Sequence, residues 1–84
     1  MKKFEVTNIL SLNNGDRFYS KTDKAKKTYC LLKSEGRTYK INSDQADRLK
    51  TVERCMVYAI EVKRPIEVVF LRSTELPYAQ VSMF

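Results

Sequence analysis

Basic and aromatic side chains interleave between Arg17 and Lys40 in a pattern suited to phosphate contacts and ring stacking. Arg17, Lys21, Lys24, Lys26, Lys27, Lys33, Arg37 and Lys40 stand against Asp16, Asp23 and Glu35, a local excess of five positive charges in a chain whose net charge is +6. Such a patch attracts phosphate backbones or acidic protein surfaces and steers association most strongly at low salt. Tyr19 sits among these cations and is predicted to point away from Phe18, which makes it the candidate for stacking on a base. Nothing in the set has the character of base-edge readout, so any nucleic-acid binding is expected to tolerate sequence. The plain alternative is a solvated face that keeps the protein soluble.

Other chemistry has little to stand on. The chain contains no histidine, which removes the usual general base and the usual metal ligand. Cys30 and Cys55 form no C-x-x-C pair and have no histidine to activate them. Both lie in apolar runs and read as small buried hydrophobes of a reducing compartment. Asp44, Asp47 and Glu53 fall on one predicted helix, where capping and i,i+4 pairing account for them. Gly15 and Gly36 are isolated turn glycines, which a phosphate-cradling loop would not be. The expectation is a non-enzymatic protein without cofactor or metal; a carboxylate-metal nuclease is the enzymatic version that the residues leave open.

The elements that must position these residues start with a hairpin. Two runs of β-formers within Lys27 to Ile41 flank Ser34-Glu35-Gly36. If Lys33 and Arg37 flank a three-residue loop, Tyr29, Leu31, Tyr39 and Ile41 share an apolar face. Cys30, Leu32, Thr38 and Lys40 then share the other. Before the hairpin, Phe4 to Leu10 reads as a first strand, with Phe4 and Val6 on one face and a twist near Asn8. Asn14-Gly15 marks a tight turn, and Arg17-Phe18-Tyr19 a second strand, with Phe18 paired to Tyr29 across the exposed basic loop Ser20 to Lys26.

Asn42 to Arg54, with room to run to Met56, reads as one helix. Ser43 is the predicted N-cap, Asp44 and Arg48 form an i,i+4 pair, and Ala46, Leu49 and Val52 recur at helical spacing. From Met56 the apolar period becomes two, with Met56, Tyr58, Ile60 and Val62 on one face. Arg64-Pro65 reads as a corner, and Ile66 to Leu71 as a central strand, because it is apolar on both faces.

Residues 76–84 carry no charged side chain. Leu76, Tyr78, Val81 and Phe84 are too apolar for a free tail, so the segment is expected either to close the domain's own core or to dock on another chain, by strand addition or in a groove.

G-D-R-F-Y (Gly15 to Tyr19), K-K-T-Y (Lys26 to Tyr29) and E-V-V-F-L-R (Glu67 to Arg72) resemble small proteins carried by bacteria and their phages, several of them SH3-type small β-barrels. The resemblance implies that fold and a mobile-element origin. It does not touch the helix at Asn42 to Arg54, which would be an insertion between barrel strands, and it carries over no activity.

The chain of 84 residues is thus expected to be a single mainly-β (α+β) domain over residues 1–84. Its architecture would be a small SH3-like antiparallel barrel of five or six strands, with one inserted helix near 43–55 and an apolar C-terminal tail at 76–84. The start M-K-K-F-E-V lacks the apolar core of a secretory signal and no run approaches membrane-spanning length, so a cytosolic protein is expected. Two functions follow from the residues. One is a protein-interaction module that binds a partner or itself; the other is a sequence-tolerant nucleic-acid binder.

Overall fold

The computed structural model describes residues 1–78, and the central hairpin is present in it with a shifted register. Strands β3 (Tyr29–Ser34) and β4 (Arg37–Asn42) pair through Ser34↔Arg37. Glu35 (φ 52) and Gly36 (φ 75) both occupy the left-handed region, as a two-residue hairpin connection twisted to match its strands requires. The expected three-residue loop is therefore corrected to two, and the pairing slides by one residue. Leu32 faces Tyr39 and Cys30 faces Ile41, while Leu31 faces Lys40. Cys30, Leu32, Tyr39 and Ile41 thus share one face, and Tyr29, Leu31, Thr38 and Lys40 the other.

Both faces carry core. The six strands, with β1 (Val6–Asn8), β2 (Asp16–Ser20), β5 (Ile60–Val62) and β6 (Glu67–Ser73), form one antiparallel sheet in the order β1-β6-β2-β3-β4-β5. The fold is mainly β, a curled half-barrel. Strand β6 lies between β1 and β2, so the run apolar on both faces is interior as expected, with Val68, Val69 and Phe70 buried. On one side Ile9, Leu12, Phe18, Leu31, Val68 and Phe70 pack together. Phe18 faces Tyr29 as predicted, with ring centroids 6.0 Å apart. On the other side Cys30, Leu32 and Ile41 pack under Ala46, Val52, Cys55 and Leu76.

The single predicted helix is two: α1 (Ser43–Leu49) and α2 (Val52–Met56). Asn42 rather than Ser43 caps α1, its side chain accepting from the Asp44 N–H. Lys50 (φ 70) ends α1 in the left-handed region, and the Thr51 side chain accepts from the Arg54 N–H to start α2. The break has a packing reason. Ala46 and Cys55 would lie on opposite sides of one continuous helix, yet both are buried against the same sheet face. Met56 ends α2, so the period-two face shrinks to the three residues of β5.

The N-terminal strand is also shorter than expected. Asn8 accepts from the Leu10 N–H and opens a 3-10 turn over Ile9–Ser11, which carries Ile9 and Leu12 into the core while Phe4 and Val6 stay exposed. A turn at Gly15 (φ 88) then feeds β2, closed by the Asp16 N–H donating to the Asn13 carbonyl.

Candidate interaction surface

Arg17 does not belong to the surface. Its register opposite Cys30 points it toward α1, and it is 3% exposed. Its Nε donates to Thr74 Oγ1 (3.1 Å), and one Nη donates to the carbonyl and hydroxyl of Ser43 (3.1 and 2.5 Å). The other Nη lies 2.9 Å from Asp47 Oδ1. The guanidinium fork is spent on tying β2, α1 and the end of β6 together, which corrects its assignment as a phosphate contact. It also replaces the expected Asp44–Arg48 pairing as the helix's main electrostatic tie, since Asp47 reaches across to the sheet.

The remaining cations fall into two groups, with Lys40 between them. Lys21, Lys24, Lys26 and Lys27 are exposed on the β2–β3 loop. Asp23 organises that loop: its carboxylate accepts from the Ala25 and Lys27 N–H groups (both 3.0 Å), and its carbonyl from Lys26 N–H (3.1 Å). With the backbone satisfied from within, the lysine side chains face water. Lys21 pairs with Glu67 at 3.0 Å, and Lys26 Nζ lies 5.9 Å from the half-buried Tyr19 ring. Lys40 sits mid-strand with Nζ 4.6 Å from the Tyr29 ring. Lys33 and Arg37 are at the opposite end of β3 and β4, beside the two-residue turn. There Lys33 Nζ donates to the Leu10 carbonyl (2.8 Å). A six-residue strand spans about 17–20 Å, so the nine basic and aromatic candidates do not converge on one site.

The tail candidates divide as well. Leu76 is buried with Cys30, Leu32 and the helices, and the Val52 N–H donates to the Pro77 carbonyl at 3.0 Å. The chain up to Pro77 therefore covers its own core. Tyr78 is exposed, its hydroxyl accepting from Asn14 Nδ2 at 3.3 Å. Val81 and Phe84 lie outside the described residues.

Sequence reasoning missed the most exposed apolar surface. It lies beside the two ends of the sheet. Next to β1, Phe4 (61% exposed) and Val6 stand out of the core; next to β5, Val57 (74%), Tyr58 (59%) and Ile60 (65%) do. Single exposed apolar residues need no explanation, but groups beside a strand edge with no partner among the described residues do. No signal in the sequence marked them, because which strands end the sheet depends on strand order.

Cys30 and Cys55 are buried free thiols in the helix-side core. Burial pushes the Cys30 thiol up to about 11, opposed by the nearby Arg17 charge. Burial raises Cys55 too. Both are therefore protonated and poor nucleophiles at neutral pH. Among the described residues no helix is long and apolar enough to cross a membrane. Comparison with family models, curated proteins and solved structures returned no significant match.

Proposed function

We propose that this chain is a small non-enzymatic binding module that acts by protein–protein interaction, as an adaptor, inhibitor or virion component working in the cytosol. The phage or mobile-element origin implied by its motif resemblance belongs to the same proposal. The observation that carries it is the placement of exposed Phe4 and Val6 beside β1, and of Val57, Tyr58 and Ile60 beside β5, the two strands that end the sheet among the described residues. An edge offers unpaired backbone groups, and neighbouring apolar side chains give an added strand something to bury. Val6→Asp and Ile60→Asp place a charge beside each edge without touching the core. Loss of partner capture by either variant, with an unchanged melting temperature, supports the reading; full capture by both contradicts it.

A second reading, sequence-tolerant nucleic-acid binding, is favoured by the lysine loop that Asp23 holds in shape. Lys24, Lys26 and Lys27 are its contacts, with Tyr19 under Lys26. Replacing these three lysines by Glu should abolish binding to single-stranded oligonucleotides and flatten its salt dependence. Affinity indifferent to the three changes and to salt removes the reading.

A further inference from the structure

Strand β5 ends the sheet. Its inner side pairs with β4 through Ile60↔Lys40, Glu61↔Tyr39 and Val62↔Thr38, and its outer side has no partner strand among the described residues. Ile60 is largely exposed although it lies in regular strand, and Val57 and Tyr58 are exposed just before it. Lys63 and Arg64 follow directly, both exposed.

The charge order along this edge selects an occupant. Glu61 and Lys63 are two residues apart and so lie on one face of an extended chain. A two-fold axis perpendicular to the sheet keeps each residue on its own face, so an antiparallel copy of the same segment must set the residue on the axis against itself. An axis at Glu61 sets Glu61 against Glu61. An axis at Val62 sets Glu61 against Lys63 at two places. That register gives each carboxylate an opposite charge directly across the ladder. Lys63 by itself would guard the edge against pairing; Glu61 turns the guard into a complement. A foreign strand would have to bring an acid and a base in this order, whereas a second copy carries them. Two-fold, self-complementary contacts are also the commonest form of assembly.

We infer that β5, extended through Lys63, pairs with β5 of a second copy of this chain about a two-fold axis at Val62, joining two sheets into one. The inference rests on the reading of the chain as a protein-interaction module and names one of its partners.

Sedimentation equilibrium on the full chain tests it, over protein concentrations from about 5 to about 500 µM, where a small interface reveals its equilibrium. The wild type should show a reversible monomer–dimer equilibrium. Glu61→Lys and Lys63→Glu each set like charges opposite one another at both crossings and should weaken the dimer by about tenfold. The double variant restores both pairs and should recover the wild-type constant. An equimolar mixture of the two single variants should also associate, because each supplies the charge that the other lacks. The double variant decides the matter alone if a single reversal unfolds. A wild type that stays monomeric, single variants that dimerise like wild type, or a double variant that fails to recover would each overturn the inference. A monomeric wild type that still captures a protein partner ends self-pairing and leaves the interaction reading standing; one that captures nucleic acid alone ends both.

Discussion

Arg17 and Asp47 form a 2.9 Å ion pair in which the guanidinium is buried and the carboxylate is mostly in water, with side-chain exposures of 4% and 58%. The asymmetry divides their energetic roles. Asp47 keeps most of its hydration whether or not the pair forms, so Asp47→Asn should cost less than about 1 kcal/mol. Arg17 also bonds Ser43 and Thr74 from inside the fold, and Arg17→Ala should cost about 2–4 kcal/mol by taking the buried Ser43 hydroxyl's partner and emptying the space between β2, α1 and the end of β6. Arg17→Lys should recover little, since an ammonium lacks the fork that reaches three directions. Urea denaturation measures all three, and equal costs for Asp47→Asn and Arg17→Ala would contradict the division.

Cys30 gives the protein an alkaline limit. Its thiol rises from 9.0 to about 11 on folding because burial disfavours the thiolate. The unfolded chain therefore loses that proton first as pH rises. The stabilising contribution is full below about pH 9 and is lost progressively up to about pH 11. Melting temperatures measured across this window should fall less steeply for Cys30→Ala than for the wild type, whatever the baseline cost of the substitution. Identical slopes would show that the thiol does not titrate with folding.

The two glycines should respond differently to alanine. Both have positive φ, but a Cβ on Gly36 would meet open space, while one on Gly15 would collide with the Thr74 carbonyl oxygen. Gly36→Ala should cost about 1 kcal/mol from backbone strain alone. Gly15→Ala must also push apart the turn and the end of β6, and should exceed about 3 kcal/mol. Chemical denaturation separates them.

Leu76 and Tyr78 should part in the same way. Leu76 is buried against the helix-side core, and Leu76→Ala should cost about 2–4 kcal/mol. Tyr78 is exposed, and Tyr78→Ala should stay within about 0.5 kcal/mol. Comparable losses at the two positions would mean that the chain around Leu76 is not a core element.

Much of the fold was legible because local signals agreed with global packing. Phe18 met Tyr29 as the alternation required, and the apolar Ile66 to Leu71 run pointed to an interior strand, which is β6. The misreadings share a cause. Glu35 and Lys50 adopt left-handed conformations normally marked by Gly or Asn, so neither the two-residue turn nor the helix break announced itself. One displaced residue at the turn then moved every side chain of the hairpin relative to its partner. The site was less legible than the fold. Arg17 is grouped with surface lysines by sequence, and its removal from solvent depends on Ser43, Asp47 and Thr74, which only tertiary packing brings to it. The exposed residues beside β1 and β5 were read as strand faces, because edge position depends on sheet order and sequence periodicity carries no record of it.

The central claim, that this chain works by binding protein, is tested most directly by capture from lysate of its native host, with and without nuclease. The account predicts that the immobilised protein retains the same partner in both samples. It also predicts that Ile60→Asp or Val6→Asp releases that partner, while replacement of Lys24, Lys26 and Lys27 by Glu does not. Capture that vanishes on nuclease treatment, or that survives both edge variants and is lost with the three lysines, would contradict it.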